Sequence, residues 1–360
     1  MMRHSVSLKN KLIDATQNVA RLETIETNGH TGVWSMRSEK NPPETVNHDG
    51  IGAVDLYKTK ISTLMIDAYH DLEEAYTGKT PSGISTGYAD LDRMVLRLQP
   101  GELIVIAAQP GMGGTSLAMG MVSNITMGKG SELAVVIFSL EMSATKWAKR
   151  MLAATAEVST HKLHSGKFTA HDWRKLASAS GVLAECKIFV DDTASEIIEI
   201  FSHSRDIQEG PYGLDLIVID YLQLISSTGR NKENRVQEIA EISQGLKAIA
   251  KELDIPVITA SQLSRAVESR EDKRPLLSDL RESGNIEQDA DIVMFIYREE
   301  YYLSRKIPSS DEKKLIEWQE KMEKVESIAE IIIAKQRNGP VGNFHLRYDN
   351  KTTAFDNLEN

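Results

Sequence analysis

Residues 107–116 read AAQPGMGGTS and follow directly on the apolar run ELIVI. Glycines at 111, 113 and 114 let a backbone turn its N–H groups inward on an anion. The phosphate-cradling loop has the form G-x-x-x-x-G-K-[ST]. Here Ala108 takes the first glycine position, Gly113 the second, and Thr115 is placed to bind Mg²⁺, with Ser116 beside it. Gly114 stands where the loop should carry lysine, the ammonium that meets the β- and γ-phosphates. The following TSLAMGMVSNI has a helical pattern, so a helix N-terminus points at the same spot.

Three more polar residues end apolar runs. Asp220 closes LDLIVIDYLQLI, the form of a Walker B aspartate that holds Mg²⁺ through water. Glu141 in VVIFSLEMS is a carboxylate that could polarise an attacking water, and Gln262 in VITASQLSR is a γ-phosphate sensor candidate. Taken singly, each reads equally well as a tight turn or a helix cap. Four in order, each at a strand end, point to a nucleotide site.

The elements that must position them alternate. Apolar, β-branched runs fall at 102–107, 133–140, 187–190, 214–219, 255–260, 291–297 and 329–334. Several are apolar throughout, as strands buried on both faces are. Helical patterns lie between them, clearest over 236–253, where Val236, Ile239, Ala240, Ile242, Leu246, Ile249, Ala250 and Leu253 mark one face. Such alternation predicts an α/β fold, a mostly parallel sheet with helices on both faces, whose ligands bind at the C-terminal strand ends. The charge-dense run 309–327 reads as a solvated helix or hairpin insertion.

Before this domain the pattern changes. Residues 1–50 are polar, with SEKNPPETVNHDG resembling a linker and at most a short helix at 8–22. Over 51–76, Val54, Tyr57, Ile61, Leu64, Met65, Ala68 and Leu72 recur at helical spacing, so 51–79 is expected to hold an amphipathic linker helix and 80–360 the main domain. That helix packs either on its own domain or on a neighbouring subunit.

Composition excludes several classes. No apolar run approaches the roughly 20 residues of a membrane-spanning helix. The lone Cys186 forbids an internal disulfide and reads as a packing residue in a reducing, cytoplasmic protein. The net charge of −10, from 42 basic and 52 acidic residues, argues against a protein coated in positive charge for nucleic acid.

The quoted motifs, with GISTGYADLD, LQPGELIVIAAQPGMG, FSLEMS, VIDYLQLI, LRESGNIEQDAD and EIIIAKQRNGPVG, resemble the C-terminal motor domain of the DnaB-type replicative DNA helicases, a RecA-like fold. The resemblance covers about 80–357. Ala108 is usual in that family, so Gly114 alone breaks the loop. The resemblance implies ATP and Mg²⁺ as cofactors, single-stranded DNA as partner, and a homo-oligomeric ring, normally a hexamer. It makes Lys335 and Arg337 fingers that reach a neighbour's nucleotide, and Arg281, Glu282 and Gly284 the loop that grips DNA phosphates. Arg150, on the helix after Glu141, becomes a nucleotide-contact candidate. Family members also carry a helical N-terminal collar that recruits primase. Fifty polar residues fall short of that collar, which leaves partnership with primase or a loader open.

Two readings follow. One is an ATP-dependent helicase moving 5′–3′ on single-stranded DNA. The other is a degenerate relative that binds nucleotide or DNA without efficient hydrolysis, because Gly114 removes the lysine. A RecA-like recombination accessory fits LRESGNIEQDAD and KQRNGP less well.

Overall fold

The computed structural model describes residues 83–128, 131–226, 235–280, 284–308 and 312–358, with Ile61, Met65, Ala68, Tyr69 and Leu72 ahead of them. All belong to one compact unit, Lys60–Asn360. The unit Met1–Thr59, with the short helix expected at 8–22, lies outside the described residues.

Nine strands form a single sheet in the order β3-β2-β4-β5-β1-β6-β7-β8-β9. They are β1 (Leu103–Ala108), β2 (Val135–Ser139), β3 (Ile188–Asp191), β4 (Leu216–Asp220), β5 (Val257–Gln262), β6 (Ile292–Tyr297), β7 (Ile328–Gln336), β8 (Gly342–Asp349) and β9 (Ala354–Asn357). From β3 to β6 every neighbour pairs in parallel. The last three strands fold back antiparallel.

The inner parallel strands β1, β2, β4, β5 and β6 are apolar because both their faces are covered, whereas β3, at the edge, is half-buried. Along β1, Ile104, Ile106 and Ala108 point into one core, where they meet Leu117, Met121 and Trp147. Leu103, Val105 and Ala107 point into the other, with Ile239, Ile242 and Leu246. The helix α1 (Ala89–Val95) precedes β1. The first core is closed by α2 (Gly114–Met127) and α3 (Ala144–Thr155). Next along the chain come α4 (Thr160–Ser165), α5 (Ala170–Glu185) and α6 (Ile197–Gln208), and then α7 (Arg235–Leu253), which closes the second core. Two short helices flank β6, α8 (Gly284–Asp289) before it and α9 (Glu299–Leu303) after it. The helix α7 buries all the residues expected to face the core except Val236, which is 47% exposed in its first turn.

Two strands were not visible as apolar runs. β8, GNFHLRYD, buries only alternate residues, Phe344, Leu346 and Tyr348, because one of its faces meets the core and the other does not. β9 is four residues long. The charge-dense run contains a helix, α10 (Glu312–Val325), with no buried residue; its Trp318 indole N–H donates to the Leu303 carbonyl at 3.0 Å. In the expected linker helix, the described residues are helical, and Ile61, Met65 and Leu72 are exposed apolar side chains. Cys186 is half-buried at the end of α5 and donates its S–H to the Val182 carbonyl. Among the described residues no helix is long and apolar enough to cross a membrane.

Candidate nucleotide site

The C-terminal ends of β1, β2, β4 and β5 surround a cavity of ≈ 410 Å³. Strand order explains its place. β5 and β6 flank β1, while β2 comes next to β4, so the chain reverses direction across the sheet beside the 109–113 loop. Every proposed nucleotide residue from the sequence lines this cavity: Gly111, Gly113, Gly114, Thr115, Ser116, Glu141, Arg150, Asp220 and Gln262.

The loop's glycines are not equivalent. Gly111 has φ +84°, and a Cβ there would lie 3.1 Å from the Tyr301 ring. Gly113 has φ +109°, and a Cβ would lie 2.9 Å from the Phe355 ring. Both positions demand glycine. Gly114 opens α2 in helical conformation, and a Cβ there would meet only the Ala108 methyl, at 3.6 Å. The backbone therefore does not require glycine at 114. Gln109 ties the loop to the end of β5 by donating to the Ser264 carbonyl at 2.6 Å.

Thr115 donates its hydroxyl to Asp220 Oδ1 at 3.0 Å. Asp220 is 1% exposed; its buried Oδ2 makes no hydrogen bond of ordinary geometry, although the buried Trp147 indole N–H, itself unpaired, lies near enough to favour the charged carboxylate. Burial, with the nearby Glu141 carboxylate, pushes its carboxyl up to about 6, against the Thr115 hydrogen bond and the Arg150 charge. An unsatisfied carboxylate oxygen beside a threonine hydroxyl fits a hydrated divalent cation. Glu141 stands exposed at the cavity edge.

Gln223 carries a signal the sequence reading missed. Its amide donates to Ser261 Oγ at 2.9 Å and to the Gln262 carbonyl at 3.3 Å, and its Oε1 accepts from the Gln262 N–H at 3.2 Å. It thus joins the end of β4 to the residue expected to sense phosphate. Only its place in DYLQLI, three residues after Asp220, hinted at this. Tyr348 and Thr353 also line the cavity, delivered by the unforeseen β8 and the turn that follows it.

The remaining expected site residues lie elsewhere. Lys335 and Arg337 do not line this cavity. They lie at the end of β7 against the C-terminal end of α8. Lys335 Nζ donates to the carbonyls of Glu287, Gln288 and Ala290, and Arg337 to that of Gln288 at 2.7 Å. Two cations on the free carbonyls of a helix end are a favourable placement. Burial and the neighbouring Arg337 lower the Lys335 pKa. Gly284 opens α8, whereas Arg281 and Glu282 lie outside the described residues. Nearby basic residues are internally engaged: Arg270 pairs with Asp279 at 2.7 Å and Arg274 with Glu330 at 2.9 Å.

A glycine cradle at a strand–helix turn, a hydroxyl and carboxylates at neighbouring strand ends, and this strand order define a RecA-like P-loop domain. The profile of the DnaB-like helicase C terminal domain matches residues 83–357. This chain belongs to that family. It is 49% identical over 286 residues to the replicative DNA helicase DnaB of Rickettsia typhi, covering 77% of this chain and 57% of the relative. To the DnaB of Geobacillus stearothermophilus it is 45% identical over 301 residues, covering 83% and 62%. One solved ATPase domain superposes with TM-score 0.73 at 36% identity, covering 83% of this chain and 99% of that one. A DnaB-like replicative helicase solved for its interactions with primase gives TM-score 0.72 at 36% identity, over 83% and 69%. The chain thus spans about three fifths of the length of these curated relatives.

Proposed function

We propose that this chain is the motor part of a replicative DNA helicase, binding MgATP at the cavity and moving 5′–3′ on single-stranded DNA as a homo-oligomeric ring, normally hexameric. The observation that carries this is the convergence of Thr115, Glu141, Asp220 and Gln262 on one cavity beside the 109–113 cradle. Backbone N–H groups of the cradle and the first turn of α2 face an anion there. Thr115 and Asp220 hold the cation, which, when bound, neutralises charge on the β- and γ-phosphates. Glu141 orients and deprotonates the attacking water, and Gln262, clamped by Gln223, reads the γ-phosphate.

Lys335 and Arg337 would leave the end of α8 to reach the nucleotide of a neighbouring subunit. The same short helix begins at Gly284, in the segment assigned to DNA. A grip on DNA then needs one arginine and backbone N–H groups per subunit, repeated around the ring, and this is compatible with a net negative chain. Primase or a helicase loader is the partner class for the assembled ring.

One observation favours a second reading, a nucleotide- and DNA-binding subunit with slow turnover. Gly114 leaves the phosphate end without its lysine. Losing a preorganised cation at developing phosphate charge typically costs about 10²–10³-fold in rate.

A fork with a 5′ single-stranded tail separates the two readings. The helicase reading expects ATP-dependent release of the displaced strand by this chain. Binding to the fork with no release, and release restored by Gly114→Lys, supports the second. Failure to bind nucleotide or fork in either protein defeats both.

A further inference from the structure

Trp147 is fully buried in the first turn of α3, where it shares the first core with Leu117, Met121, Met151 and Val218. Its ring fills space, as phenylalanine or leucine would. Its indole N–H is a different matter, because a buried donor left unpaired is costly and an indole can only donate. Among the described residues Nε1 makes no hydrogen bond of ordinary geometry. Its polar neighbour is Asp220 Oδ2, equally buried and equally unpaired, and the two are near enough for the indole to act on the carboxylate. The helix that delivers the indole is fixed at two points. The Ala144 N–H at its start donates to Asp192 Oδ2 at 2.9 Å, just past the end of β3. Arg150, three residues after Trp147, donates to Ser116 Oγ on α2 at 3.0 Å. Asp220 is thus approached on Oδ1 by the Thr115 hydroxyl from α2, at 3.0 Å, and on Oδ2 by the indole from α3.

We propose that Trp147 is a positioning residue of the cation site, its indole N–H holding Asp220 Oδ2 while the Thr115 hydroxyl holds Oδ1. The inference rests on the reading of the cavity as a MgATP site and adds the group that aims its buried carboxylate. A carboxylate has about four lone-pair positions on its two oxygens, so an indole on Oδ2 leaves room for a water of the cation. With a donor on each oxygen the carboxylate no longer turns about its Cβ–Cγ bond. Hydrogen bonds behind a metal ligand fix its orientation in this way, and removing one typically weakens the metal about 10- to 100-fold. Trp147 is not among the described residues that line the cavity. Its effect on a nucleotide therefore passes through Asp220 and the cation, and not through a contact of its own.

The magnesium dependence of ADP binding to the full chain tests this. ADP affinity is measured by calorimetry with excess Mg²⁺ and again in EDTA, and the ratio is the factor by which the cation strengthens the nucleotide. Three proteins are compared: the unmodified chain, Trp147→Phe, and the chain carrying benzothienylalanine at 147. That amino acid keeps the shape of the indole and has sulfur in place of the N–H, so it remains informative if Trp147→Phe fails to fold. Both altered proteins are expected to lower the ratio about 10-fold or more, with ADP affinity in EDTA within about twofold of the unmodified chain. A benzothienylalanine chain that keeps the full ratio would overturn the proposal, because Trp147 would then act by shape alone. Equal losses with Mg²⁺ and in EDTA would also overturn it, since they mark a general loosening of the site. If the unmodified chain binds ADP equally well in both buffers, the cation reading falls. If it binds ADP in neither, the nucleotide reading falls, and in both cases the proposal falls with it.

Discussion

A Cβ placed on Gly114 would lie 3.6 Å from the Ala108 methyl, in ordinary van der Waals contact. The fold therefore accepts a side chain at the one loop position where the phosphate-binding pattern asks for lysine. Two residues earlier and one residue earlier the situation differs, since Met112 is buried and Gly113 has both a positive φ and an aromatic ring in the way.

Gly114→Ala is expected to stabilise the folded chain by about 0.4–1 kcal/mol, because alanine suits the first turn of α2 and restricts the unfolded chain. Gly113→Ala should destabilise it by more than about 1 kcal/mol, through the positive φ and the 2.9 Å approach to Phe355. Urea denaturation midpoints of the two variants check this; shifts of the same sign would contradict it.

The pH dependence of stability follows from Asp220. Its carboxyl moves from 3.8 to about 6 on folding. Between those values the folded state holds more proton than the unfolded one, so stability falls as pH rises through about 4 to 6 and levels above. Below about 4 both states are protonated and the penalty vanishes. In chelator-containing buffer, unfolding of the unmodified chain against Asp220→Asn should show the difference moving toward the variant across that window. A difference constant from pH 4 to 8 would show that Asp220 titrates normally.

Asp291 anchors the opposite edge of β1. Its Oδ2 accepts from the Leu103 N–H at 2.8 Å and from Lys247 Nζ at 2.5 Å, and its Oδ1 lies 3.4 Å from Arg337 Nε. Asp291→Ala leaves the largely buried Lys247 with the Gly101 carbonyl and the nearby Glu102 carboxylate but without its ion-pair partner, and should cost about 1–3 kcal/mol. It also frees one of the Arg337 contacts. Chemical denaturation measures the loss; a cost under about 1 kcal/mol would mean that Lys247 finds water instead.

Most of the sheet was legible because its parallel strands are covered on both sides, and covered strands spell continuous apolar runs. All seven expected runs became strands, with ends moved by at most two residues. The missing strands, β8 and β9, alternate or are short, so a search for continuous apolarity passes over them. Val236 belonged to the periodic face of α7 but sits before the helix enters the core. The cavity residues at strand ends were legible for the same reason as the strands, since each polar residue marks where an apolar run stops. Tyr348 and Gln223 were not, because their roles depend on which strands become neighbours. Lys335 and Arg337 stood out through KQRNGP, yet their contacts with α8 are long-range and leave no local trace.

If the cavity is a P-loop motor site complete but for the cation at 114, one substitution should be enough to speed it up. Steady-state ATP hydrolysis, with and without single-stranded DNA, measures this in the unmodified chain and in Gly114→Lys. Slow turnover is expected of the unmodified chain, and about 10²-fold or more faster, DNA-stimulated turnover of the lysine variant. Equal rates in the two proteins would contradict the proposed site, because position 114 would then contribute nothing to the reaction.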